Sequence, residues 1–288
     1  MRFDLPVAAC PTCGGFLTAF SQPVHEGKAF SQPLSYDLCR SCGLVVMNPQ
    51  PTQEAIDEFY RVEYRQLYEG ASGPVASGLA RQQERADRLA ALVERPARHL
   101  DIGASSGTLL ATVGAEERVG VEPGDGHRAA AIEAGITMYR SIDEVTGTFD
   151  LITMSHVLEH IADPVGFLRQ VRERCSGRFL VEVPNHYSAR TYEVAHLLSF
   201  TRESLTATLG RAGFAVERVV LDGKPADGFA GPQNLAMVAH PAEISTTVTA
   251  PHPTVMHVRR AFGYGPQVAR IRYRRLVRKV RRRLPSRS

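Results

Sequence analysis

Residues 98–122 place small residues and acids at a spacing suited to gripping a charged nucleoside. A short apolar run closes on Asp101, and Gly103, Ser105 and Gly107 follow before the next apolar-periodic stretch. Backbone made of such residues approaches a ligand closely and aims amide N–H groups at an anion. A second apolar run ends at Glu122-Pro123, with Glu122 21 positions after Asp101. In a doubly wound sheet a carboxylate so placed meets the hydroxyl pair of a ribose. The dinucleotide pattern G-x-G-x-x-G fails, because Ser105 and Thr108 stand where it needs glycine, and no phosphate-cradling G-x-x-x-x-G-K-[ST] occurs.

Two other constellations could do chemistry. Cys10-Pro-Thr-Cys13-Gly14 and Cys39-Arg-Ser-Cys42-Gly43 are two C-x-x-C-G turns separated by 25 residues. Together they offer four thiolates to a tetrahedral zinc, and with every position filled by sulfur the metal is expected to be structural. The doubled motif argues against a redox pair or disulfides, and the lone Cys175 is expected to be a buried apolar thiol. The second constellation is Ser155-His156-Val-Leu-Glu159-His160, followed by Asp163-Pro164. Read literally it contains the metalloprotease pattern H-x-x-E-H, which requires both histidines inside a helix. Here the motif begins at a strand end and Asp163-Pro164 opens a helix only afterwards, so the protease reading is disfavoured.

Alternation of apolar strands and helices from Arg98 onward predicts an α/β sheet covered on both faces. Strands are expected near 98–102, 118–122, 136–139, 149–154 and 178–183, and helices near 107–113, 125–134, 163–174 and 202–212. The runs 213–221 and 234–240 have only a Gly/Pro-rich loop between them, so they should pair antiparallel. The chain divides into a zinc ribbon over 1–50, a helical lid or linker over 51–95, a nucleoside-binding domain over 96–242, and a linker with a basic tail over 243–288. Within the lid, helices are expected from Glu54 and over Leu79–Val93, covering the ligand end of the sheet. Residues 243–258, rich in Ser, Thr, Pro and His, read as a linker.

The stretch Asp101-x-Gly103-x-Ser105-x-Gly107 resembles the first motif of class I S-adenosyl-L-methionine (SAM) methyltransferases, with serine replacing the middle glycine. The likeness extends to His156-Val-Leu-Glu159-His160, to Glu182-Val-Pro-Asn185, and to His196-Leu-Leu-Ser-Phe200-Thr201 with Ser204-Leu205. It covers about residues 10–240 and is to a family acting mostly on small molecules and glycans, including ribbon-bearing members that share Cys39 to Thr52. That resemblance implies a Rossmann-like seven-stranded class I methyltransferase sheet with an N-terminal zinc ribbon. It also implies SAM held by Asp101, Gly103, Ser105, Gly107, Glu122, Pro123 and Ser155, with Asp143 on the adenine amino group. Proton removal from an acceptor calls for a group titrating near neutrality, which favours histidine. His156, His160, His186 and His196 are the candidates, with Glu159 or Glu182 as orienting carboxylates. Thr201 also has a structural reading as a helix N-cap.

The expected activity is methyl transfer to a small molecule, sugar or glycan. The alternatives are an rRNA methyltransferase that reads RNA through its ribbon, and a non-catalytic SAM-binding adaptor. The charge is uneven. From Arg259 onward there are eleven arginines and one lysine with no acid after Glu243, which leaves 22 basic against 30 acidic residues before it. Val268, Ile271, Leu276, Val277, Val280 and Leu284 fall roughly on one stripe of that tail. Such a stripe could lie on an anionic membrane surface, bind nucleic acid or dock on the acidic body. No run of 18 apolar residues occurs and the first residues lack a signal-peptide pattern, so a cytoplasmic location, peripheral to the membrane if the tail binds there, is expected.

Overall fold

A computed structural model describes residues 3–21, 24–26, 31–52, 55–56, 76–188, 192, 195–222 and 233–260. Most of the helix expected from Glu54 and the basic stripe beyond Arg260 lie outside the described residues. Seven strands form the central sheet: β1 (Arg98–Ile102), β2 (Glu117–Val121), β3 (Thr137–Tyr139), β4 (Phe149–Ser155), β5 (Cys175–Pro184), β6 (Phe214–Asp222) and β7 (Asn234–Pro241). Their order is β3-β2-β1-β4-β5-β7-β6. The first five run parallel. β7 inserts antiparallel between β5 and β6, as a hairpin without a crossover helix must.

Five helices position the strand ends: α1 (Ala76–Ala90), α2 (Thr108–Val113), α3 (Asp125–Glu133), α4 (Pro164–Arg174) and α5 (Arg202–Arg211). Local chemistry fixes their starts. Asp163 accepts the Gly166 N–H ahead of α4, and Pro164 occupies the first turn, where its missing N–H costs nothing. Thr201 forms a capping box with Ser204 at α5, an interaction worth about 1 kcal/mol. Leu100, Ile152, Met154, Phe179 and Val181 are all buried, because helices cover both faces of the parallel strands.

The cysteine-bearing region forms a second sheet of Leu17–Ser21, Tyr36–Cys39 and Val45–Met47, all antiparallel. Its edge is completed by Leu198–Ser199, which pairs with Val45–Met47 across 150 residues of sequence. One apolar core runs unbroken from Leu44 and Val46 to Phe200, Phe179 and Phe214. Tyr36 stacks on Tyr192 at 4.2 Å between ring centroids.

Residues 243–258, expected to be a linker, end in ordered structure. Residues 253–260 are helical, Met256 is wholly buried, and His257 stacks on Phe20 at 4.3 Å. Arg260 donates to the His186 carbonyl and lies 3.9 Å from the centre of the Tyr192 ring. The composition suggests a linker, but Met256 and Arg260, four residues apart, turn one helical face onto the seam between the two sheets.

Candidate functional site

A cleft opens at the carboxyl ends of β1 and β4. Asp101, Gly103, Ser105 and Ser155 wall it on the sheet side, and Arg85 and Leu89 of α1 face them. The turn after β1 repeatedly enters the left-handed region, at Gly103 (φ 77°), Ser105 (φ 48°) and Gly107 (φ 78°). Such a conformation costs a residue with a Cβ about 1–2 kcal/mol. At Ser105 compensating bonds are present: its N–H donates to Glu122 Oε2 at 3.0 Å, and its hydroxyl lies 3.3 Å from His127 Nδ1. The other Glu122 oxygen accepts the Gly124 N–H at 2.8 Å. Glu122 therefore braces the turn from the end of β2, beside Pro123, and each oxygen keeps a lone pair for a further donor.

Behind the turn, Thr153 donates to Asp101 at 2.6 Å, and His99 Nε2 lies 2.8 Å from the same hydroxyl. Because the Thr153 proton points to Asp101, His99 must donate to Thr153 through Nε2. Burial holds His99 down to about 3, so it is neutral. Burial also pushes the Asp101 carboxyl up to about 7, against the lowering effect of the Thr153 bond and helped by the Glu122 charge. A cationic group brought into the cleft would favour its ionised form. Asp143 lies in the exposed turn Ile142–Glu144 beyond β3, where Ser141 Oγ donates to its carboxylate at 3.1 Å.

The end of β4 brings together most of the expected acceptor-side residues. His156 adopts φ 57°, a backbone conformation few non-glycine residues hold without cause. Its Nδ1 lies 3.3 Å from Glu159 Oε1 and its Nε2 3.4 Å from Glu182 Oε1. His160 and His196 approach Glu159 Oε1 at 3.8 and 3.9 Å, although His196 comes from a distant loop. Burial alone would lower the His156 value, but Glu159 and Glu182 outweigh it and favour the charged ring. In that form both ring nitrogens carry protons and donate. His160 is lowered by burial, which favours its neutral ring. The segment His156 to His160 is no metalloprotease helix, since only Leu158–His160 form a single 3-10 turn.

His186 belongs elsewhere. It is completely buried, its Nδ1 lies 2.9 Å from Ser199 Oγ, and it contacts Phe20 and Tyr187, so it serves the seam between the sheets. Arg85 and Arg88 were not singled out from the sequence. Arg88 reaches Glu182 at 2.7 Å and also pairs with Asp222, while Arg85 lies 3.6 Å from Glu182. Burial would raise the Glu182 carboxyl, but His156, Arg88 and Arg85 hold it at about 2. Ser155 donates to the same carboxylate at 2.9 Å, so Glu182 ties α1 to the end of β4. The available signal was two arginines three apart on a helix otherwise read as apolar cover.

The four cysteines converge. Cys10 and Cys42 sulfurs are 3.6 Å apart and those of Cys13 and Cys39 3.4 Å, and no disulfide joins them. Sulfurs about 2.3 Å from one centre stand about 3.8 Å apart in a tetrahedron, so the set fits a metal. Gly14 and Gly43 (φ 71° and 76°) close matching turns by donating to the Cys10 and Cys39 carbonyls. Hydrogen bonding with Cys39 pushes the Cys10 thiol up to about 12, while bonds from Cys10 and Cys42 drive Cys39 far down. Four thiols so close cannot all ionise without a cation among them.

A mostly parallel sheet of this order, with a glycine-rich turn after its first strand and an acid at the end of its second, is the class I methyltransferase architecture. Residues 78–219 match the family model described as a methyltransferase domain. Among solved structures, the mitomycin 7-O-methyltransferase MmcR shares 20% identity over 65% of this chain and 60% of its own, with a TM-score of 0.50. A SAM-dependent methyltransferase from Mesorhizobium loti shares 20% identity over 53% of this chain and 95% of its own, with a TM-score of 0.44. Magnesium protoporphyrin IX methyltransferase (ChlM) from Synechocystis PCC 6803, with bound S-adenosylhomocysteine, shares 15% identity over 65% of this chain and 94% of its own, at 0.47. The likeness to MmcR speaks for the fold alone. No curated protein sequence matches the chain. No helix among the described residues is long and apolar enough to cross a membrane.

Proposed function

We propose that this protein transfers the methyl group of SAM to a small-molecule, sugar or glycan acceptor in the cleft between the β1 turn and the end of β4. The carrying observation is that the Asp101–Gly107 turn, braced by Glu122, shares one cleft with Ser155, next to the histidine cluster. In this reading Asp101, Gly103, Ser105, Gly107 and Ser155 hold the amino-acid part of SAM. Glu122 and Pro123 hold the ribose, and Asp143 holds the adenine amino group. SAM supplies a methyl already activated on a sulfonium, so the chain's own task is alignment and, for a hydroxyl acceptor, removal of a proton. Asp101, ionised by the incoming ammonium, anchors one end. Glu182, fixed by Arg88 and Ser155, keeps α1 over the cleft and excludes water.

Among the acceptor-side residues, His156 supplies positive charge beside two carboxylates, while His160 and His196 face Glu159 on the side where the acceptor is held. The cysteine set holds a structural zinc, because a closed tetrahedron of sulfur leaves no position for substrate. The decisive experiment is calorimetry of the zinc-loaded protein with SAM, S-adenosylhomocysteine and NAD, followed by an acceptor screen read out as S-adenosylhomocysteine formed. Binding of the two sulfur nucleosides without NAD is expected. Affinity for NAD alone overturns the reading.

A further inference from the structure

The cluster beyond β4 has a geometry that proton transfer does not require. Glu159 is a carboxylate with 1% exposure, and neither of its oxygens accepts a hydrogen bond of normal geometry from the described residues. His156 Nδ1, His160 Nε2 and His196 Nε2 instead surround Oε1 at 3.3, 3.8 and 3.9 Å. The ligand atoms of Glu159, His160 and His196 all lie within 4.8 Å of one another. Nitrogen and oxygen ligands about 2.1 Å from a shared cation stand about 3.0–3.4 Å apart, so a small inward movement closes the set on an ion.

The tautomer of His160 points the same way. Its Nδ1 lies 2.8 Å from the Ala195 carbonyl, which can only accept, so Nδ1 carries the proton. In the neutral ring Nε2 then carries the electron pair on the side of Glu159, as a metal ligand must. A second hydrogen bond that fixes the tautomer is how metal-binding histidines are oriented.

We propose that Glu159, His160 and His196 bind a divalent first-row transition cation, separate from the four-cysteine site, whose open side takes an oxygen of the acceptor. Two imidazoles and one carboxylate suit manganese, iron, cobalt or zinc, and three ligands leave positions for substrate. The place fits the chemistry. Ser155 lines the cleft, and a Cβ at Gly103 would fall on Val157 Cγ2, so the β1 turn and the β4 turn are packed against each other. His156 and His160 are about a quarter and a fifth exposed, so an acceptor can reach the ion.

The inference rests on the methyl-transfer reading only for the ion's purpose. An acceptor hydroxyl on the cation loses its proton to water more readily. Its oxygen then bonds to the methyl carbon as the carbon–sulfur bond breaks, and that bond's electron pair goes to sulfur.

The test is titration of the full chain, with its cysteine site loaded with zinc, by Mn²⁺ followed by electron paramagnetic resonance. Manganese is chosen because it prefers oxygen and imidazole ligands to thiolate. Wild type should take up one Mn²⁺ per chain. Glu159→Gln and His196→Gln should each weaken it more than about 100-fold, beyond what loss of a supporting hydrogen bond costs. His160→Ala is the third variant should either fail to fold. No uptake by wild type, or unchanged affinity in folded variants, overturns the site. Calorimetry with SAM on the same samples keeps the two readings apart. SAM binding without Mn²⁺ binding sinks the cation alone, whereas Mn²⁺ binding without SAM binding supports the cation and sinks the methyl-transfer reading.

Discussion

Asp101→Asn tests the buried acid directly. The wild-type carboxyl is pushed by burial from an ordinary 3.8 up to about 7 in the folded chain. The folded protein thus holds this proton more tightly than the unfolded chain does. The resulting stability is complete below the unfolded value and is lost as pH rises through about 7. Between about pH 5 and about pH 8 the wild type should lose about 3 kcal/mol through this group, at about 1.4 kcal/mol per pH unit. Asparagine keeps an oxygen for the Thr153 hydroxyl and has no charge to bury. Asp101→Asn should therefore gain about 3 kcal/mol relative to wild type over that interval, measured by urea unfolding at both pH values. An ammonium ligand should pull in the opposite direction. SAM affinity of wild type should tighten about tenfold from about pH 6 to about pH 8 and vanish in the variant. A stability difference that is the same at both pH values would refute the reasoning.

Other substitutions follow from single contacts. Gly107→Ala places a Cβ on Ile136 Cδ1 at a positive φ, so it should cost about 2–4 kcal/mol in chemical unfolding. Arg88→Ala removes the nearest cation from buried Glu182, leaving His156 and Arg85, and should cost about 1.5–3 kcal/mol, and the double variant with Glu182→Gln should recover much of that loss. Glu122→Ala removes the acceptor for two backbone N–H groups and should abolish SAM binding in calorimetry while the chain still melts cooperatively. Cys39→Ser should lower the melting transition of the whole molecule, because the cysteine sheet and the central sheet share one core. A separate, early ribbon transition in differential scanning calorimetry would contradict that.

The central sheet was legible because each of its strands is an apolar run bounded by glycine or an acid, and β6 and β7 announced their antiparallel pairing by lacking a helix between them. The cysteine cluster was legible from spacing alone. Three features were not. Leu198–Ser199 is too short to carry a periodic signal, and its partner lies in the cysteine region. The helix over 253–260 is composed like a linker and is ordered only by what it touches. The approach of His196 to Glu159 depends on the path of the loop between β5 and α5, and local spacing does not encode that path. The sequence marked all three histidines around Glu159 as bases, whereas their different partners, two carboxylates for His156 and a carbonyl for His160, separate their roles.

The borrowed edge strand Leu198–Ser199 has a bearing on dissection of the gene product. A fragment starting after the cysteine sheet would leave the backbone groups of Leu198–Ser199 without their partners and strip the cover from Leu197 and Phe200. An unpaired, greasy margin of that kind recruits other chains. Expression of the central-sheet half alone should therefore give inclusion bodies or sticky oligomers, and the cysteine sheet should be treated as part of the same folding unit and not as a detachable module.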